Sequence, residues 1–189
     1  MKRKLIAITG KIGSGKSAVS RILREMGFKT VDCDDLAKQI ADKPEVVEQV
    51  ELLLGSKCVS NGKLNRKAIR EMVFDDVNLL NKYQQIFFDG VKTLLIDTLA
   101  TLQKEKVVFV EIPVLDAFPF DWDAIWRVES DGETCVKRVT ARDNVSAESV
   151  FATLSSQKDY DCDYLIVNNG DLEQLRKSVH IILCENRLT

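Results

Sequence analysis

The stretch Gly10-Lys11-Ile12-Gly13-Ser14-Gly15-Lys16-Ser17 constrains this chain more than any other. Ahead of it, Lys4-Leu5-Ile6-Ala7-Ile8-Thr9 is a short apolar run that reads as a buried strand. Behind it, Ala18, Val19, Ile22, Leu23 and Met26 recur at helical spacing until Gly27, a residue suited to a helix C-terminus. A strand, then G-x-x-x-x-G-K-[ST], then a helix is a loop that cradles the phosphates of a nucleotide. Glycines at 10, 13 and 15 let the backbone turn tightly, so that successive N–H groups converge on one anion. The following helix adds its free N–H groups and the positive end of its dipole. In this pattern Lys16 contacts the β- and γ-phosphates and the Ser17 hydroxyl coordinates Mg²⁺. The expected nucleotide contacts therefore run from Gly10, Lys11, Ile12, Gly13, Ser14 and Gly15 through Lys16 and Ser17 to Ala18, with a nucleotide and Mg²⁺ as the ligands.

Composition narrows the class. The chain has 189 residues, 45% hydrophobic and 30% charged, which fits one soluble domain with a core of its own. Its 27 basic and 29 acidic residues give a net charge of −2 and no basic stripe, so no nucleic-acid partner is expected. The basic start Met1-Lys2-Arg3-Lys4 runs straight into the first strand and leaves no room for a signal peptide. No apolar run reaches membrane-spanning length. The five cysteines never take C-x-x-C spacing, which argues for reduced thiols and against a disulfide framework or structural zinc. The expectation is a cytoplasmic enzyme without a membrane or obligate protein partner.

Taken in order, Phe28 to Asp32 reads as a second strand, followed at once by Cys33-Asp34-Asp35. Carboxylates at the carboxyl end of a strand lie where open α/β sheets gather ligands; alternatively Asp34 or Asp35 caps the helix beginning near Leu36. From Lys43 to about Lys106 the pattern is helical, broken by the Asn61-Gly62 turn, with Asn65 as a cap and Gly90 weakening the longest helix. Such an insertion suits a second substrate, or is plain helical packing. Val107 to Ile112 is the most apolar strand, as expected of a central parallel strand. Near its end, Glu111 either reaches Mg²⁺ through water or forms a structural salt bridge. Ile125 to Glu129 is a further strand, with Trp122 and Trp126 read as core. Glu133 to Arg142 forms a helix carrying Arg138 and Arg142 at i and i+4 on one face, and Ser146 caps a second helix toward Gln157. This basic pair is either a lid over polyphosphate or a solvated charged face. Tyr164 to Val167 is the last strand, and Asp171 caps the terminal helix, on which the lone His180 is packing or surface.

The expected architecture is α/β: a three-layer P-loop NTPase with a roughly five-stranded parallel sheet, a helical substrate-binding insertion and a helical lid. It is expected as one domain over 1–189, with core segments 1–32, 106–131 and 160–189, the insertion at 33–105 and the lid at 132–159.

At this level of detail the chain resembles the dephospho-coenzyme A kinases over nearly its whole length. Ile8-Thr9-Gly10-Lys11-Ile12-Gly13-Ser14-Gly15-Lys16-Ser17 is similar to that family's opening, and Val31-Asp32-Cys33-Asp34 with Ala37-Lys38-Gln39 to its D-x-D stretch. Gly62-Lys63-Leu64-Asn65-Arg66 resembles its G-x-L-D-R turn, Pro113-Val114-Leu115 its P-L-L, and Ile166-Val167-Asn168-Asn169-Gly170 its I-x-N-x-G close. Phe88-Asp89 stands where the family usually carries His-Pro, Lys11 where it has glycine, and Ala18 where it has threonine.

The resemblance implies ATP-dependent phosphorylation of the ribose 3′-hydroxyl of dephospho-coenzyme A, the last step of coenzyme A synthesis. It implies Asp34 as general base, Asp32 as a water-mediated metal partner and Arg66 holding the acceptor's phosphates or ribose. Pro113 and Leu115 join the acceptor site and Asn168 the nucleotide site on the same ground. Arg138 and Arg142 would stabilise the transferring group. Another small-molecule or nucleotide kinase of the same architecture is the alternative acceptor reading. A nucleotide-binding switch or ATPase is the reading from another class, although Asn168-Asn169-Gly170-Asp171 lacks the lysine of a guanine-reading N-K-x-D.

Overall fold

A computed structural model describes residues 3–73 and 76–188. Met1 and Lys2 of the basic start, and Thr189, lie outside the described residues. Chain order is β1 (Lys4–Thr9), α1 (Lys16–Glu25), β2 (Lys29–Asp32), α2 (Cys33–Ile40), α3 (Pro44–Leu54), β3 (Val59–Ser60), β4 (Lys63–Leu64), α4 (Arg66–Val73), α5 (Val77–Thr101), β5 (Val107–Glu111), β6 (Ala124–Glu129), α6 (Gly132–Asp143), α7 (Ala147–Ser156), β7 (Tyr164–Val167) and α8 (Leu172–Glu185). The chain divides into two compact units, Met1–Asp32 with Leu102–Thr189, and Cys33–Thr101.

The first unit is built on a five-stranded sheet in the order β2-β5-β1-β6-β7, every pairing parallel. The two central strands read as unbroken apolar runs because both of their faces are covered. All five residues of β5 are buried, and Ile6, Ala7 and Ile8 of β1 are almost wholly so. On one face Val19, Ile22 and Leu23 of α1 pack with Leu175, Val179 and Leu183 of α8 over Phe109 and Trp126. The aromatic rings meet edge-on, Phe28 to Phe109 at 5.4 Å and Phe109 to Trp126 at 5.0 Å between centroids, the arrangement that ring quadrupoles favour. Trp126 is therefore core, as its pattern predicts. Trp122 is half-buried, and its indole N–H donates to the Phe118 carbonyl at 3.2 Å.

The second unit is helical apart from a two-residue hairpin, β3–β4, whose turn residues Asn61 and Gly62 have φ of 53° and 71°. Two positive φ values make the turn whose twist matches paired strands, which is why Asn-Gly marks it. Val50, Leu54, Cys58, Ile69 and Val73 form its core, with Tyr83 and Phe87 of α5 against them. Asn65 Oδ1 accepts from Ala68 N at 3.3 Å, so the expected cap of α4 is present. Gly90 does not interrupt α5. A Cβ there would lie 2.7 Å from Ile40 Cδ1, so glycine is what lets α2 and α5 approach closely.

Candidate active site

The segment between β1 and α1 has the backbone of an anion nest. Gly10, Gly13 and Gly15 adopt φ of 145°, 78° and 100°, values that side-chain-bearing residues rarely take. Close approach is a second constraint. At Gly13 a Cβ would lie 2.7 Å from the Cys135 carbonyl oxygen, and at Gly15 it would run into Asn168 Nδ2. The N–H groups of the first turn of α1 follow directly, adding the anion-binding end of a ten-residue helix. Lys16 Nζ lies over this curve and donates to the carbonyls of Gly10 at 2.8 Å and Lys11 at 3.2 Å. Thr9 Oγ1 and Ser14 Oγ are buried, with no hydrogen-bond partner among the described residues. A curve of converging donors with a lysine ammonium over it is chemistry suited to a polyphosphate.

The exit of the loop is equally defined. Ser17 Oγ donates to Glu111 Oε1 at 2.7 Å, and Ser20 Oγ to Oε2 at 2.8 Å. Glu111 ends β5, is only 4% exposed, and stands in register opposite Asp32 at the end of β2. Two serines three residues apart on one helix face therefore satisfy both oxygens of a buried carboxylate. From sequence alone Glu111 suits either a water-mediated metal contact or a salt bridge; in the structure the Ser17 and Ser20 hydroxyls bond its two oxygens. Ser20 belongs to no motif, and its place three residues beyond Ser17 is the one sequence signal for its part here.

A second network supports the loop from the strand ends. Asn168 follows β7; its Nδ2 donates to the Ser14 carbonyl at 2.8 Å, and its own carbonyl accepts from Ser130 Oγ at 2.7 Å and Arg138 Nη2 at 3.0 Å. Arg138 Nη1 also donates to Ser130 Oγ at 2.9 Å. Thus Asn168 and Arg138, both assigned to ligand from the sequence, grip the loop's backbone directly or through Ser130. Ser130 carries no motif and could be found only by folding the chain. Arg142, one turn beyond Arg138, instead forms a forked pair with Asp143 at 2.8 and 2.7 Å, its side chain 63% exposed.

Helix α6 begins at Gly132 on an Asp131 cap, with Asp131 Oδ1 accepting from Thr134 N at 2.8 Å. That backbone bond, and then Thr134's hydroxyl, holds the Asp131 carboxyl below its ordinary range. Burial pushes the Cys135 thiol up, which leaves it an inert packing group beneath Gly13. A cavity of about 430 Å³ lies beside the loop, bordered by Gly10, Lys11 and Ser14, by Glu129 and Ser130, and by Phe151 and Leu154 of α7.

The other expected residues are placed as follows. Pro113 and Leu115 are half-buried, just after β5 and in a tight turn over Leu115–Ala117. Asp34 and Asp35 both fall inside the first turn of α2. The helix starts at Cys33, directly after β2, so neither stands before it as a cap. Arg66 is exposed at the start of α4, where its charge acts on Tyr83, whose hydroxyl is pushed up chiefly by burial. Asp34 and Arg66 belong to the Cys33–Thr101 unit, whereas the loop, Glu111, Asp32, Arg138 and Asn168 belong to the other. Among the described residues no helix is long and apolar enough to cross a membrane.

The family model described as CoaE, dephospho-CoA kinase, matches residues 4–174. A dephospho-CoA kinase of Leptospira interrogans is 37% identical, the match covering 93% of this chain and 89% of that one. One from Fusobacterium nucleatum is 34% identical, with coverage of 95% and 96%. Among solved structures, a Thermus thermophilus protein superposes with a TM-score of 0.80 at 31% identity, covering 98% of each chain. A Campylobacter jejuni dephospho-CoA kinase at 24% identity and TM-score 0.63, covering 97% of each chain, shares the fold.

Proposed function

This chain belongs to the dephospho-CoA kinase family, and we infer that it transfers the terminal phosphoryl group of ATP to the ribose 3′-hydroxyl of dephospho-CoA, the final step of coenzyme A synthesis. The observation that carries the reading at the level of chemistry is the loop itself. Three positive-φ glycines, the Lys16 ammonium over the curve and Ser17 at its exit stand together in one unit.

Phosphoryl transfer asks the protein for positioning and charge neutralisation more than covalent chemistry. The loop N–H groups hold the β- and γ-phosphates, and Lys16, whose ammonium has three N–H donors, neutralises them while resting on the Gly10 and Lys11 carbonyls. Arg142 meets the charge on the transferring group. Arg138 keeps the loop in shape through Ser130 and Asn168. Asp34 takes the proton of the attacking hydroxyl as general base. Arg66, Pro113 and Leu115 hold the acceptor. On this assignment 33–105 is the acceptor-binding insertion and the α6–α7 pair is the lid.

The residues present fit Mg²⁺. Ser17 Oγ, Glu111 and Asp32 offer oxygen only, as a hard cation requires. No group of three or more His, Cys, Asp or Glu comes together among the described residues, which suits an ion held largely by nucleotide phosphates and water. When bound, Mg²⁺ supplies charge neutralisation at the β- and γ-phosphates. Ser17 would hold it, with Asp32 acting through water.

The test is ADP release from ATP and Mg²⁺ with dephospho-CoA, with nucleoside monophosphates and with no acceptor, in parallel. Turnover confined to dephospho-CoA is expected. Turnover confined to a nucleoside monophosphate would reject the acceptor, and equal release without any acceptor would reject the kinase.

A further inference from the structure

The peptide group joining Lys11 to Ile12 is held at both ends. Its N–H, on Ile12, donates to Gln157 Oε1 at 2.8 Å. Its carbonyl, on Lys11, accepts from Lys16 Nζ at 3.2 Å and from Ser14 N at 3.2 Å. A trans peptide is planar, with N–H and C=O pointing in opposite directions, so fixing one fixes the other. The side chain that aims the Ile12 N–H therefore also aims the oxygen on which Lys16 rests.

Gln157 is well placed for this. It is the first residue after α7 and half-buried, and the three residues that follow are each tied to a different part of the same unit. Lys158 Nζ donates to Asp116 Oδ2 at 2.8 Å, Asp159 pairs with Lys11 Nζ at 2.8 Å, and the Tyr160 carbonyl accepts from Arg127 Nη1 at 2.9 Å. The Lys11–Asp159 pair has side chains 31% and 63% exposed, so water and salt weaken it. The Ile12–Gln157 bond is uncharged and partly buried, and it is the stiffer prop. The bond also commits the Ile12 N–H to protein.

Resting on the reading that Lys16 serves the phosphates of ATP, we propose that Gln157 is a positioning residue. It orients the Lys11–Ile12 peptide and, through that peptide's carbonyl, the Lys16 ammonium.

The experiment is a double-mutant cycle on the full chain. Gln157→Met keeps the length and removes the acceptor; Gln157→Asn keeps the amide but withdraws it by one methylene. Each is made in the wild type and in Lys16→Ala, and read by calorimetric ATP affinity, kcat, both KM values and melting temperature. ATP affinity should weaken roughly three- to tenfold in the wild-type background and by less than about twofold in Lys16→Ala, the signature of one residue acting through another. In the wild-type background kcat should fall by about tenfold, with the KM for dephospho-CoA within about twofold. An equal loss of ATP affinity in both backgrounds, or a lower melting temperature with unchanged binding and kinetics, overturns the proposal. So does no change at all. Wild-type turnover in the same series tests the functional reading separately, because the ATP-binding cycle needs no acceptor.

Discussion

Ser17 Oγ donates to Glu111 Oε1 at 2.7 Å, so the hydroxyl expected on the metal is aimed by a carboxylate at the end of a neighbouring strand. Ser20 holds the other oxygen at 2.8 Å, which fixes the carboxylate's rotation as well as its place. Glu111→Gln keeps the shape but offers one acceptor oxygen and one N–H₂, so one serine must reverse its hydroxyl. Stability should fall by about 1–2 kcal/mol, the cost of one compromised buried partner, and the melting temperature by about 2–8 °C for a chain of this size. Turnover should fall by at least about tenfold, with a higher Mg²⁺ concentration needed for half-maximal rate. A Mg²⁺ titration of initial velocity checks this; an unchanged Mg²⁺ midpoint would limit Glu111 to a structural part.

Arg138 and Arg142 should separate in mutagenesis despite sharing a helix face. Arg138 donates to Ser130 Oγ at 2.9 Å and to the Asn168 carbonyl at 3.0 Å, so Arg138→Ala removes two charge-assisted bonds that brace the loop from behind. The KM for ATP should rise by about tenfold and the melting temperature fall by a few degrees. Arg138→Lys should recover little, because one ammonium cannot span both partners as a planar fork does. Arg142→Ala should leave the melting temperature alone and lower kcat at least about tenfold, as the loss of a charge used in the transition state would. Steady-state kinetics beside thermal melts check both. An Arg142→Ala enzyme with wild-type kcat would reduce that residue to a solvated surface charge.

How far the site could be read from sequence follows the range of its interactions. The loop was legible because glycine at 10, 13 and 15 is demanded locally, by positive φ as well as by close contact. The strands were legible because the residues of β1 and β5 that lie between covering layers must be continuously apolar. Caps at Asn65, Ser146 and Asp171 were legible because each side chain bonds an N–H three residues on. The α6 start was misplaced by one residue, since Gly132 hides a helix that Asp131 caps. Props made at long range were not legible. Ser130 meets Ser14 across 116 positions and Gln157 meets Ile12 across 145, and no local pattern encodes either pairing. Spacing at i and i+4 placed Arg138 and Arg142 on one face but did not say which would reach the loop; the extra turn carries Arg142 to Asp143 instead.

The Asp131 cap gives the acid side of the stability curve a named contributor. The Thr134 backbone N–H, and next its hydroxyl, favour the charged carboxylate and hold its pKa below the ordinary range. A group depressed on folding stabilises the native state above its unfolded pKa, near 4, and loses that contribution as pH falls through the lower folded value. Asn also caps helices well and does not titrate. Asp131→Asn should therefore melt close to wild type at neutral pH and show a shallower fall in melting temperature below about pH 4. Melting curves across the acid range check it; an identical slope in both proteins would remove Asp131 from the acid response.

Asp34 carries the most specific claim about chemistry. It lies in the first turn of α2, two residues beyond Asp32 in the chain, and its proposed task is to accept the proton of the attacking ribose hydroxyl. A general base acts on the acceptor and contributes about 10²–10⁴-fold, whereas nucleotide affinity is here assigned to the loop, Lys16 and the metal. Asp34→Asn should then lower kcat by about a hundredfold or more, with ATP affinity within about threefold of wild type. Asp32→Asn, altering a residue assigned to the metal, should instead raise the Mg²⁺ requirement. ATP titration of each variant beside single-turnover measurement of 3′-phosphorylation separates the two roles. If Asp34→Asn lost ATP affinity in step with rate, its carboxylate would belong to nucleotide binding and the base would have to be sought among the other residues near the acceptor.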